Sequence, residues 1–250
     1  VAKITTVFLH GLLGDRQDWE PVIRDLPGPV LTLDLPGHGA NHVQRVADFA
    51  ECNEWLRATL NQHGIRHYRL AGYSLGGRIA LYHASQAPNG LQALWLENCH
   101  PGLVADERAA RIVHDGAWAN RFASEPMTEV LASWYRQPVF AELDEQARQR
   151  LIARRSHNHG PAVAAMLQAT SLGQQPDLRH WLQHTRLPVT YLSGVRDQKF
   201  HRLACQLATP DSTIDHQVLE GGHNLHAACP DTYARLLCEW VTQPEEKRHD

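Results

Sequence analysis

An α/β fold, with a mostly parallel sheet covered by helices on both faces and an inserted helical cap, is what this 250-residue sequence predicts. Three observations predict it. Short apolar, β-branched runs bounded by turn residues recur along the chain, helical patterns separate most of them, and about 85 positions in the middle pass without a convincing strand.

In chain order, strands are expected at Ile4 to Leu9, Val30 to Leu33, Tyr68 to Ala71, Leu94 to Leu96, Val189 to Leu192 and Ile214 to Leu219. Crossover helices are expected at Asp18 to Asp25, Ala47 to His63, Leu75 to Gln86, Leu203 to Ala208 and Pro230 to Trp240. Strand followed by helix followed by strand is the order that a parallel sheet requires, because parallel neighbours need a long crossover. The middle block holds only helical patterns, at Asp106 to His114, Glu125 to Trp134, Asp144 to Arg155 and Pro161 to Thr170. Pro101-Gly102 opens this block and Leu187-Pro188 closes it, and both are natural breaks. Residues 1–100 and 187–250 are therefore expected to form the core and 101–186 a helical cap insertion, with a frayed, charged tail from Pro244 to Asp250.

Composition narrows the function classes. Twenty-four Lys and Arg against 27 Asp and Glu give a net charge of −3, with no basic run, so no nucleic-acid partner is expected. No apolar run is long enough for membrane insertion, and no basic stretch with a following apolar segment marks a leader. Cys52, Cys99, Cys205, Cys229 and Cys238 are odd in number and widely spaced, which suits small buried residues of a reducing, cytoplasmic protein better than a disulfide framework. Histidines are many, 17, but none has a carboxylate at H-E-x-x-H spacing, so no metal site is expected; His157 and His159 read as loop residues.

The chemistry concentrates at Gly72-Tyr73-Ser74-Leu75-Gly76, which follows an expected strand and opens an expected helix. G-x-S-x-G in that context is a nucleophile elbow: a sharp turn that only small flanking residues tolerate pushes the Ser74 hydroxyl out at a helix N-terminus. A serine at neutral pH needs a base, and the base needs an orienting acid. Downstream, Asp197 and His223 each fall just past the carboxyl end of a strand, on the same edge of the sheet as Ser74. Glu97, also past a strand, is the competing acid. Asp34 precedes the serine in what looks like a structural turn, and His226 is the rival base one helical turn from His223.

These residues carry a resemblance. His10-Gly11, Asp34-Leu35-Pro36-Gly37-His38-Gly39, the elbow, Asp197 and His223 together resemble the α/β-hydrolase superfamily over nearly the whole chain outside the insertion. The resemblance implies that the backbone N–H groups of Leu12, after His10-Gly11, and of Leu75 form an oxyanion hole. It also implies leading edge strands, which are short or absent here, since only six residues precede Val7.

A narrower resemblance lies in the insertion and its borders. His100-Pro101-Gly102-Leu103, Trp134 to Phe140, Arg155 to Gly160 and Ala169 to Leu178, with Gly-Tyr-Ser-Leu-Gly-Gly-Arg at the elbow, are similar to the pyruvate-eliminating 2-succinyl-6-hydroxy-2,4-cyclohexadiene-1-carboxylate synthases of menaquinone biosynthesis. That implies a lyase in which Ser74, activated by His223 and Asp197, abstracts a ring proton, with no cofactor and no obligate protein partner. The rival is a small-molecule ester or thioester hydrolase using the same residues through an acyl-enzyme; a receptor without turnover would not need an intact triad. The implied substrate is a small tricarboxylate. The insertion carries ten arginines, no lysine and nine acids, so most of its arginines are expected to be solvated or paired. By position in the matching stretches, Arg78, Arg111 and Arg155, with Lys199, are the candidate carboxylate anchors, and Tyr73 and Trp134 are candidates to pack on the ring or hydrogen-bond a carboxylate.

Overall fold

The computed structural model describes residues 3–243, so the tail from Pro244 lies outside the described residues. Six strands, β1 Thr5–Leu9, β2 Val30–Leu33, β3 Tyr68–Tyr73, β4 Leu91–Glu97, β5 Val189–Gly194 and β6 Ile214–Leu219, form one sheet in the order β2-β1-β3-β4-β5-β6. Every neighbouring pair is parallel. The expected parallel α/β sheet is present. Strands β3 and β5 run two residues beyond their apolar cores, because the ladders continue: Tyr73 stands opposite Glu97 and Gly194 opposite Leu219.

Alternation along the strands separates the two faces. Val7, Leu9, Leu70, Leu94, Leu96 and Tyr191 join one buried cluster, and Phe8, Ala71, Ala93, Trp95 and Leu192 join another. Helix α1 Glu20–Ile23 contributes Val22 to the second cluster, whereas α2 Phe49–Gln62 and α3 Leu75–Ser85 contribute Leu56 and Ile79 to the first. Asp48 caps α2 through the Glu51 N–H at 2.9 Å, so the helix starts two residues after the apolar pattern does.

Between β4 and β5 the described chain makes five α-helices, one 3-10 turn at Pro138–Phe140 and no strand: α4 Ala105–Ser124, α5 Met127–Trp134, α6 Glu145–Arg155, α7 Gly160–Ala169 and α8 Arg179–His184. Phe122, Val130, Leu131, Ile152, Val163 and Leu167 from the first four of these share a third cluster, which also takes in Leu13 from the loop after β1. The last helices are α9 Gln198–Leu207, α10 Leu225–Ala228 and α11 Pro230–Thr242. Helices α8 and α10 escape the periodicity reading because they span only six and four residues, too few for a repeat to show.

The sheet order has one topological consequence. The chain steps from β1 outward to β2 and then returns to pair β3 against the other side of β1, so the crevice between the carboxyl ends of β1 and β3 is the switch point where open α/β sheets hold ligands. Gly76 makes the geometry possible there: a β-carbon on it would overlap the carbonyl oxygen of Leu9, the last residue of β1. Gly76→Ala is expected to cost about 1–3 kcal/mol or more of stability, because rigid backbone must move. Urea unfolding checks this; an unchanged midpoint would mean that the two backbones are not in close contact.

Candidate active site

Ser74 joins β3 to α3 at φ +49° and ψ −108°, outside the regions that side-chain-bearing residues favour. Its N–H donates to the Glu97 carbonyl at 2.9 Å and its carbonyl accepts from the Arg78 N–H at 3.0 Å, so the turn is held from both sides. The hydroxyl meets His223 Nε2 at 3.2 Å, and His223 Nδ1 meets Asp197 Oδ2 at 2.7 Å. With Nδ1–H donating to the carboxylate, Nε2 is the acceptor for the serine proton. The structure thus brings together a serine and a histidine 149 positions apart, with an aspartate 26 positions before the histidine.

Asp197 and His223 reach the site because the β5–β6 ladder carries on into the loops. Val195 N–H donates to Leu219 O at 3.0 Å and Arg196 N–H to Gly221 O at 2.9 Å. Gly194 permits this, since a β-carbon on it would overlap the carbonyls of Gly221 and Gly222. Asp197 also caps α9 by accepting the Phe200 N–H at 3.2 Å, which fixes the carboxylate that faces His223. The imidazole is enclosed by the rings of Phe200, Tyr73 and Phe140 at centroid distances of 5.0, 5.4 and 6.1 Å.

The rival acid and rival base pair with each other. Glu97 is fully buried; it accepts from Leu225 N–H at 2.6 Å, His226 N–H at 3.3 Å, His226 Nδ1–H at 2.8 Å and the Tyr233 hydroxyl at 2.9 Å. Trp19 stacks on His226 at 4.3 Å. This second dyad braces the turn that follows His223. From the other side, Asn98 Nδ2 donates to the carbonyls of Gly222 and His223 at 3.1 and 2.7 Å. Asn98 was not singled out by sequence; its place just past β4, in a left-handed conformation that Asn tolerates, is the signal that could have found it.

Two further buried histidines shape the loop that carries Leu12. Leu35 N–H donates to His10 Nε2 and Leu13 N–H to His38 Nε2, both at 3.0 Å, while the Nδ1 atoms sit on the carbonyls of Gly11 and Pro36. Burial pushes the His38 pKa down to about 3 and lowers that of His10 as well, so both rings remain neutral acceptors. Leu12 and Leu75, the two implied oxyanion donors, line one cavity of about 550 Å³ together with Ser74 and His223. Asp34 is structural: its carboxylate accepts the N–H groups of Arg16 and Ala40 at 2.8 and 3.0 Å. His157 and His159 lie with His42 around a separate cavity, apart from His223.

The same cavity is lined by Arg78, Arg111, Lys199 and Trp134. Arg78 donates to Thr170 O at 2.7 Å and to Gln175 Oε1 at 3.4 Å, and among the described residues it meets no carboxylate. Burial, then repulsion from Arg111, brings its pKa down to about 10, so it stays charged at neutral pH. Arg111 shares Asp115 at 2.7 Å. Lys199 lies 5.6 Å from the Phe200 ring centre, its pKa lowered by loss of water and by Arg111. Glu142 and Arg196, which the sequence did not single out, face each other at 3.5 Å on the wall beside His223.

Arg155 is held in an ion-pair cluster. Chosen from sequence as a carboxylate anchor, it is buried with its guanidinium on Asp18 at 2.7 Å and Asp15 at 3.4 Å, because α6 lays it across the turn at 15–18. It lines a cavity of about 90 Å³, beside the main one, that also touches Ser74, Tyr73, Tyr135 and His223. Tyr73 is buried with its ring against His223 and His226. Trp134 borders both cavities and meets Trp118 edge-on at 5.0 Å.

A serine, histidine and aspartate in hydrogen-bonded sequence, two amides at the switch point and uncompensated cations in one cavity can move a proton beside an anionic ligand. No helix among the described residues is long and apolar enough to cross a membrane. Comparison with known proteins agrees with this chemistry. The family model described as alpha/beta hydrolase fold matches residues 6–227. A protein of Pectobacterium atrosepticum named 2-succinyl-6-hydroxy-2,4-cyclohexadiene-1-carboxylate synthase is 49% identical over 243 residues, covering 95% of this chain and 94% of its own length. One of the same name from Yersinia enterocolitica is 49% identical over 241 residues, covering 95% and 86%. Among solved structures, MenH from S. aureus superposes with a TM-score of 0.87 at 25% identity, covering 100% of this chain and 96% of its own. A thermophilic esterase from Thermogutta terrifontis, at 0.80 and 19% identity, covers 99% and 91% and shares the fold.

Proposed function

The chain belongs to the α/β-hydrolase fold family and, within it, to the 2-succinyl-6-hydroxy-2,4-cyclohexadiene-1-carboxylate synthases, and from that premise we propose that it eliminates pyruvate from 2-succinyl-5-enolpyruvyl-6-hydroxy-3-cyclohexene-1-carboxylate in menaquinone biosynthesis. The observation that carries this reading over ester hydrolysis is Arg78: a half-buried guanidinium that meets no carboxylate among the described residues, on the wall of the cavity holding Ser74. A partly desolvated charge without a counter-ion is costly, and a polyanionic substrate offsets that cost.

Ser74 acts as the proton-abstracting base, with His223 taking the hydroxyl proton and Asp197 holding the imidazolium. The ring carbon bearing the succinyl ketone loses its proton. Its electron pair forms a new ring double bond, the existing double bond moves one position along the ring, and the carbon–oxygen bond to enolpyruvate breaks. Enolpyruvate takes up a proton and becomes pyruvate, so atoms balance without water. The Leu12 and Leu75 amides stabilise the charge that builds on the ketone oxygen, an effect of about 2.7–4 kcal/mol per donor where one has been removed from a serine protease. Residues 101–186 serve as the cap, which supplies Arg111 and Trp134 to the cavity. Cysteines that pair with none of one another accord with a cytoplasmic site of action.

The purified protein is expected to release pyruvate and form a conjugated diene one for one. Comparable kcat/KM on short p-nitrophenyl esters, with no pyruvate from the enolpyruvyl substrate, would replace the lyase by an acyl-enzyme hydrolase. Arg78→Ala and Arg111→Ala are each expected to raise KM roughly ten- to hundredfold, the worth of one charge-assisted hydrogen bond, with kcat changed far less. Steady-state kinetics on each variant checks this.

A further inference from the structure

We propose, on the basis of the function just given, that His100 is a further substrate-binding residue: a neutral imidazole whose Nε2–H donates to a substrate carboxylate held among Arg78, Arg111 and Lys199. His100 lies three residues past β4 and lines the same cavity as those three cations. Its Nδ1 accepts the Gly102 N–H at 3.1 Å, which leaves the ring proton on Nε2. The residue is tied to Arg78 through one side chain: Gln175 Nε2 donates to the His100 carbonyl at 2.8 Å, and Gln175 Oε1 accepts from Arg78 at 3.4 Å. On its other side the ring meets Phe200, the neighbour of Lys199, edge-on at 6.4 Å. The imidazole and the guanidinium are therefore set in one rigid frame at the cavity wall.

The surroundings decide the form in which it works. Burial first, then Lys199, Arg78, Arg111 and Arg179, push the His100 pKa down to about 3, so at neutral pH the ring is uncharged. A fourth cation would add repulsion to a wall that already carries three. A neutral donor instead adds direction: it fixes one carboxylate oxygen while the cations supply the charge. That makes His100 a determinant of which carboxylate pattern is accepted.

His100→Phe keeps the ring and removes the N–H; His100→Gln keeps a neutral N–H at similar reach. The Phe variant is expected to raise KM roughly tenfold with kcat within about twofold, and the Gln variant to stay within about threefold of wild type. The three monomethyl esters of the substrate distinguish binding from folding. For one of them, wild type and the Phe variant are expected to share the same KM, because the partner of His100 is gone. Wild-type KM in the Phe variant, or an equal penalty with all three esters, overturns the proposal. If the wild-type protein releases no pyruvate at all, the function assigned above falls instead; calorimetric titration with succinate then decides on His100, with roughly tenfold weaker binding by the Phe variant supporting it and equal binding overturning it.

Discussion

Ser74→Ala is expected to lower turnover by about four powers of ten or more while leaving affinity for the diene product unchanged, because loss of a triad nucleophile elsewhere costs on that scale and the binding cations are untouched. The geometry makes the loss severe. Among the described residues the hydroxyl is what His223 Nε2 faces, at 3.2 Å, and the cavity brings the Leu12 and Leu75 amides to the same spot. Removing the oxygen leaves His223 with no atom through which to reach the ring proton. Ser74→Gly separates chemistry from strain: it should be equally inactive, yet unfold at higher temperature, because a residue with a side chain at φ +49° and ψ −108° stores about 1–3 kcal/mol that glycine does not. Single-turnover kinetics and calorimetric melting test both parts. A near-normal rate in the alanine variant would remove the assigned base.

The second large effect is expected at a residue outside the triad. Glu97→Ala should destabilise the fold by several kcal/mol, at about 1–3 kcal/mol for each buried donor left without an acceptor. Four donors converge on that carboxylate, from Leu225 N–H, His226 N–H, His226 Nδ1–H and the Tyr233 hydroxyl, and alanine would leave all four without an acceptor in a dry interior. Glu97→Gln should recover only part of the loss, since its NH₂ group would oppose donors. The turn after His223 hangs on this carboxylate, so kcat is expected to fall more than KM rises in the Gln variant. Urea unfolding with parallel kinetics checks it; a stable, fully active Glu97→Ala protein would show that Glu97 braces nothing.

Features with local causes were legible in the sequence. Alternation and turn residues marked the strands, and G-x-S-x-G placed Ser74 just past β3 because the α3 backbone excludes a side chain at 72 and the β1 backbone one at 76. Chain order then nominated Asp197 and His223. The pairing of charges was another matter. Glu97 and His226 looked like understudies for the triad, and they form a second dyad behind it. Arg155 was nominated as an anchor, and the fold also pairs it with two carboxylates 137 and 140 positions away. Nothing in the local pattern near 155 encodes where residues 15 and 18 will lie.

By itself, then, the sequence determined the parallel sheet and the helical stretch between β4 and β5 and nominated Ser74, Asp197 and His223 as candidates, because hydrophobic period and backbone sterics act over a few residues and repeat along the chain. Tertiary structure alone decided which arginine of the main cavity meets no carboxylate among the described residues, which histidines remain neutral and which carboxylate braces the turn after His223. Those outcomes depend on burial and on charges brought within a few ångströms from distant segments, and Coulomb energy and desolvation follow distance in space, not separation along the chain.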